Sequence, residues 1–122
     1  MKRLLMLVAV GVALAGCGEP SPEQLAEKAA EEARMADEVR KYDAEDSVRA
    51  VLTDPESARF SRLFVSRQSG LPVVCGMVNA KNRFGGYVGD RPFYSVGRVA
   101  EIGTPENYDQ FQKAWSELCK AS

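Results

Sequence analysis

The chain contains no histidine. That removes the commonest general base, the Ser-His and Cys-His nucleophile pairs, and most zinc sites. Cysteine is scarce: Cys17, Cys75 and Cys119 are the only three, and no two form a Cys-x-x-Cys redox pair. Carboxylates can act in pairs, as in glycoside hydrolysis. The seven acids between Asp54 and Glu117, however, mostly suit helix starts or solvated faces. No enzyme is expected, and no cofactor or metal. Long apolar runs are missing too. The longest, Leu4–Ala15, has twelve residues and would span about 18 Å of helix, short of the ~20 residues that cross a bilayer core. At 122 residues there is room for one domain.

Charge is balanced overall, at a net of −1, but it is not evenly placed. Residues 18–47 carry ten acids against four bases, and residues 48–122 carry ten bases against seven acids. The basic positions of the second part (Arg59, Arg62, Arg67, Lys81, Arg83, Arg91, Arg98) are too diluted by acids for a nucleic-acid footprint, and no nucleic-acid partner is expected. An acidic segment below a mildly basic domain would be repelled by an anionic lipid surface, which holds the domain away from it. The plainer account is that both faces are simply solvated.

Lys2 and Arg3 precede the apolar run, and the run ends in small residues. A basic start, a short apolar stretch and a small-residue end read as a cleaved export signal over residues 1–16. A retained anchor helix is the alternative. The end of the run, Leu14-Ala15-Gly16-Cys17, resembles the lipobox of bacterial lipoproteins. The resemblance implies a diacylglyceryl group on the Cys17 thiol, cleavage before Cys17, and acylation of the new amine. At ~0.8 kcal/mol per buried CH₂, one chain binds a membrane marginally and several bind it stably. In lipoproteins of two-membrane bacteria, Asp after the lipidated Cys marks inner-membrane retention. Gly18 stands there instead, so the expected address is the outer membrane, with the domain facing the periplasm.

A lipidated Cys17 leaves Cys75 and Cys119, an even pair in an oxidising compartment. A disulfide between them would close a loop of about 45 residues, worth roughly 4 kcal/mol in the chain-entropy model. Two buried free thiols are the alternative.

Ser21-Pro22-Glu23-Gln24 is a helix start: Ser caps, Pro sits where no N–H is needed, and Gln completes a capping box. From there to about Lys41 the chain is rich in strong helix formers, with a thin apolar stripe of Leu25, Ala29, Ala36 and Val39, and Met35 nearby. So little to bury predicts a solvated helical spacer over residues 17–43, with a weak coiled-coil seam as the alternative. Asp43–Leu52 continues or restarts the helix with Val48, Val51 and Leu52, until Asp54-Pro55 interrupts it. Strands are expected at Ala58–Ser66, at Val73–Ala80, which is apolar on both faces like a central strand, and at Pro92–Ile102 with Gly97 as a bulge. Thr104-Pro105-Glu106 opens a helix carrying Tyr108, Phe111, Trp115 and Leu118 on one face. The predicted fold is therefore α+β over residues 44–122: an antiparallel three-stranded sheet with an N-terminal and a C-terminal helix on one face. So small a domain usually needs a staple, which Cys75 and Cys119 would supply.

One segment holds the candidate contact residues. Between the second and third expected strands lie Asn79, Lys81, Asn82, Arg83, Phe84 and Tyr87, interspersed with Gly85, Gly86 and Gly89. The connection is longer than an ordinary hairpin, and long loops are more often functional than short ones. It is no phosphate loop, because no Gly-Lys-Ser/Thr and no following helix are present. A structural loop with Phe84 and Tyr87 tucked against the sheet stands as the other reading. The run from Val74 to Gly89, with the Asp54–Phe60 entry before it, resembles a family of small uncharacterised bacterial exported proteins and lipoproteins over residues 48–96. The family has no assigned activity, so it implies compartment and fold and transfers no catalytic residue. The function expected is a lipid-anchored, non-catalytic binding module, its membrane contact made by the lipid and its partner an envelope protein or peptidoglycan. A structural lipoprotein without a specific ligand, or an inhibitor of a secreted cell-wall hydrolase, is the alternative.

Overall fold

The computed structural model describes residues 16–120. The signal segment, including Leu14 and Ala15 of the lipobox, lies outside the described residues apart from Gly16.

The first helix, α1 (Pro22–Arg49), starts where the sequence places it. The Ser21 hydroxyl accepts the Gln24 amide at 3.3 Å, and the Gln24 side chain accepts the Ser21 amide at 2.9 Å. It is one helix of 28 residues, so the spacer and the first domain helix are continuous. It ends before Asp54-Pro55, whose proline opens a 3₁₀ turn at Pro55–Ser57. Residues 22–36 are exposed all round. Arg67 reaches α1 at Asp37, 2.6 Å away, and the first buried residue is Ala44.

The sheet has four strands, not three: β1 (Arg59–Ser66), β2 (Val73–Asn79), β3 (Arg91–Val96) and β4 (Val99–Ile102), in that order and antiparallel throughout. The miscounted element is the expected third strand. Gly97 is no bulge. It sits at φ +60° as the first central residue of a two-residue hairpin turn, where Val96 pairs with Val99. Glycine at that position is the signature of a tight hairpin whose twist suits the flanking strands. The bulge lies in β1 instead. Register slips between Ser61 and Phe64, and Arg62 takes φ +57° as the extra residue. One inserted residue keeps Phe60, Leu63 and Val65 on one face while Ser61 and Phe64 occupy the other. The imperfect apolar alternation of that segment has this cause.

The two helices lie on opposite faces, not on one. Ala44 and Val48 of α1 pack on Val74, Val78 and Phe93. The second helix, α2 (Tyr108–Leu118), covers the other face, where Val73, Cys75 and Cys119 are buried with Phe64, Tyr94, Trp115 and Leu118 around them. Side chains alternate across a strand, so β2 offers apolar residues to both layers. A strand apolar on both faces needs cover on both, and one helix supplies each. On the α1 side Phe60 meets Phe93 edge-on at 5.7 Å. On the α2 side Phe111 stacks between Tyr94 at 5.3 Å and Trp115 at 5.8 Å. Of the expected α2 face, Phe111 is buried and Trp115 and Leu118 are half-buried, but Tyr108 is exposed. Val51, expected on the apolar face of α1, is exposed as well. Cys75 and Cys119 are bonded, their Cα atoms 5.9 Å apart, which ties the end of α2 to the central strand.

Candidate functional site

The sheet has two ends. At one, β1 finishes beside the middle of α1, where Arg67 bonds Asp37. At the other, β2 finishes at Asn79, paired with Arg59 at the start of β1, and α1 has already ended. The 79–90 loop grows from this second end, away from the exposed half of α1.

Its conformation is tied down by its own polar groups. The Asn79 side-chain oxygen accepts the Gly89 amide at 3.0 Å and closes the base of the loop. Lys81 and Tyr87 then pair as an isolated antiparallel bridge. The apex is a tight turn from Asn82 to Gly86. The Asn82 amide donates to the Gly86 carbonyl at 2.9 Å, and the Asn82 carbonyl accepts from Gly85 at 3.0 Å. The Asn82 side-chain oxygen accepts the amides of Phe84 at 3.0 Å and Gly86 at 3.2 Å. Gly85, at φ +82°, supplies the left-handed residue this turn requires. Both asparagines thus spend their side-chain acceptors on the loop itself.

The 3₁₀ turn at Pro55–Ser57 braces one side. Ser57 accepts the Lys81 amide on its hydroxyl at 2.8 Å, and its carbonyl accepts the Tyr87 phenol at 3.0 Å. The Arg59 guanidinium lies over the Tyr87 ring, 4.1 Å from its centroid, and the Lys81 ammonium is 5.6 Å from the same ring. Ser57 and Arg59 were not singled out from the sequence as site residues. The signal was present in the Asp54–Phe60 entry that accompanies the loop motif, because the two segments are in contact.

The six candidates therefore divide. Asn79 and Asn82 shape the backbone, and Tyr87 is pinned to Ser57. Lys81 is half-buried beside it. Arg83 and Phe84 project from the apex, the guanidinium 5.2 Å from the ring. Phe84 is not tucked against the sheet: it is 83% exposed. The expectation of a packed Phe84 fails because the Asn82 turn lifts it clear of the strands.

Beside the loop, past the end of α1, the sheet carries an open groove of ≈ 450 Å³. Leu52, Val78, Ala100 and Ile102 line it, with Lys81 and Arg91 among its polar groups. Among the described residues no group of three or more acids or cysteines is placed to hold a metal ion. No helix among them is long and apolar enough to cross a membrane. Cys17 is an exposed free thiol, ahead of α1.

Titration is perturbed at a few surface positions outside the loop. Hydrogen bonding to Arg67 holds the Asp37 carboxyl below its ordinary range. Burial, then its hydrogen bond to Glu101, pushes the Tyr94 phenol up to about 12. The Glu106 carboxyl is lowered by its own amide and by Thr104, at the start of the 3₁₀ turn before α2. None of these pairs a base with a nucleophile. Compared with family models, curated proteins and solved structures, the chain matches none.

Proposed function

We propose that the protein is a lipid-anchored envelope protein that binds a partner, without catalysis, through the apex of the 79–90 loop. The observation that carries the reading is Phe84. A large aromatic side chain stands in water on a turn whose backbone polar groups are internally bonded. A turn held that firmly loses little entropy when a partner covers it, so the gain from burying the ring is kept. That gain is roughly 2–3 kcal/mol for a phenylalanine. Arg83 beside it adds a planar donor suited to carboxylates.

The rest of the proposal rests on sequence. Cys17 carries the lipid, Gly18 directs the protein to the outer membrane, and the resemblance to small exported proteins supports the same compartment. The exposed half of α1, about 22 Å from Pro22 to Asp37 at 1.5 Å per residue, spaces the domain from the lipid. Because the loop lies at the far end of the sheet, the partner stands away from the anchoring membrane. Peptidoglycan and envelope proteins are the candidates there. The asparagine, Ser57 and Tyr87 bonds favour a second reading, in which the loop is only structural.

Phe84→Ala separates the two. The ring touches little of the domain, so folding should be unchanged. Capture on purified peptidoglycan and photo-cross-linking to envelope proteins should both be tried with the anchored protein. A loss of tenfold or more in whichever contact the wild type makes is the expected result. Equal capture by wild type, Phe84→Ala and Arg83→Ala would leave the loop a structural element.

A further inference from the structure

The helix α1 has a second face that the fold leaves bare. Its large apolar side chains are Leu25, Met35, Val39, Tyr42 and Val48. Val48 is buried against the sheet, whereas the other four are between 54% and 69% exposed. At 3.6 residues per turn, Met35 and Tyr42 lie about half a turn round from Ala44 and Val48, on the side away from the sheet. The spacing has a pattern. Leu25, Lys28, Glu32, Met35, Val39 and Tyr42 follow one another in alternating steps of three and four, which is the seam of a coiled coil. No large apolar residue of α1 except Val48 lies off it.

We infer that this seam pairs α1 with α1 of a second copy of this chain, in parallel and in register. Three observations select that occupant. In a parallel pair each seam residue meets its own counterpart, so all four exposed apolar side chains are covered together. An antiparallel pair that covers all four sets Lys28 against Val39 and Glu32 against Met35, which leaves neither charge an opposite partner on the other helix. The two polar seam positions are of opposite sign and one turn apart. In the parallel pair Lys28 meets Lys28 and Glu32 meets Glu32, but each Lys28 also lies one layer from the Glu32 of the other helix, so the opposite-sign contacts offset the like-sign ones. The seam also faces away from the sheet, so the two domains hang on the outside of the pair without collision. Both 79–90 loops then point the same way.

The flanks make the pairing weak. Glu38 faces Asp43 of the second copy, and residues 22–43 hold seven acids against four bases. Repulsion between them is screened by salt, so association strengthens as ionic strength rises. Four large side chains in under three heptads bury far less than the ~800 Å² per partner of a standard interface. The pair therefore forms where the chains are concentrated, as on a surface that holds their N-termini together.

The test uses the full chain in its own cells, with single cysteines introduced at exposed positions of α1. Met35→Cys and Val39→Cys lie on the seam, and Ala33→Cys lies off it. None touches the sheet, so the fold and the Cys75–Cys119 bond should persist. Under mild oxidation both seam variants should give a disulfide-linked dimer at least fivefold more abundant than Ala33→Cys or the parent chain. Three results would overturn the inference: equal cross-linking on and off the seam, adducts to other proteins only, or a preference of Leu25→Cys for Tyr42→Cys when the two are co-expressed. Phe84→Ala should leave the dimer unchanged, so this result and the loop assay can fail separately.

Discussion

Residues 22–36 and 37–49 of the same helix live under different physics. The first stretch holds five Ala and four Glu and is exposed throughout, so its helicity rests on propensity and on the Ser21 cap. The second stretch contains Val48 and Ala44, which lie under 2% exposed against Val74 and Phe93. Propensity makes both halves helical, but only burial couples one of them to the sheet. A domain and its stalk can share one helix, and the boundary falls where the side chains change rather than where the backbone does.

That contrast can be broken hardest in the core. Phe93 is fully buried on the α1 face, so Phe93→Ala should destabilise the domain by about 3–5 kcal/mol in chemical denaturation. The disulfide comes next. Cys119→Ala should lower stability by roughly 2–4 kcal/mol, and it should raise quenching of the half-buried Trp115 as the last turn of α2 loosens. Thiol counting on the denatured wild type should find Cys75 and Cys119 blocked, and two free thiols would remove the staple.

Truncation probes the stalk. A chain beginning near Tyr42 should retain the domain's stability, because the residues removed bury almost nothing. A loss above about 2 kcal/mol, the value of one large buried side chain, would make the stalk part of the core. The smallest effect concerns the tether at Asp37. Its carboxyl is depressed in the folded state, so the Arg67 pairing stabilises above the ordinary aspartate range and is lost as pH falls through the lowered value. Arg67→Ala should therefore flatten the acid limb of the stability profile slightly. High salt should shrink the difference between variant and wild type.

Much of this arrangement was legible in the sequence, for reasons that can be named. The α1 start was readable because Ser21, Pro22 and Gln24 each satisfy a local requirement. The disulfide followed from counting cysteines once the lipobox resemblance sets Cys17 aside. The strand count was not readable from apolar pattern alone, because Val96 and Val99 continue the pattern across a turn that only Gly97-Arg98 announces. The helix placement was misjudged although Val73, Val74 and Cys75 already required cover on both faces. That a loop joins β2 to β3 was legible, but the separate tasks of its residues were not. Nothing local says that Asn82 folds back on Phe84 and Gly86 while Tyr87 reaches 30 residues back to Ser57. Arg62 at positive φ gave no sequence signal of its own.

Everything proposed for the stalk and the loop depends on what holds residue 17. A free exposed thiol and an acylated N-terminal cysteine make different molecules of the same fold. The decisive measurement is mass spectrometry of the N-terminal peptide of the protein isolated from its own membranes. The account predicts a peptide beginning at Cys17 and carrying a diacylglyceryl group on the thiol and an acyl chain on the amine. Cys17→Ser should leave the precursor uncleaved. A wild-type peptide with unmodified Cys17, or one still joined to residues 1–16, would contradict the account at its base.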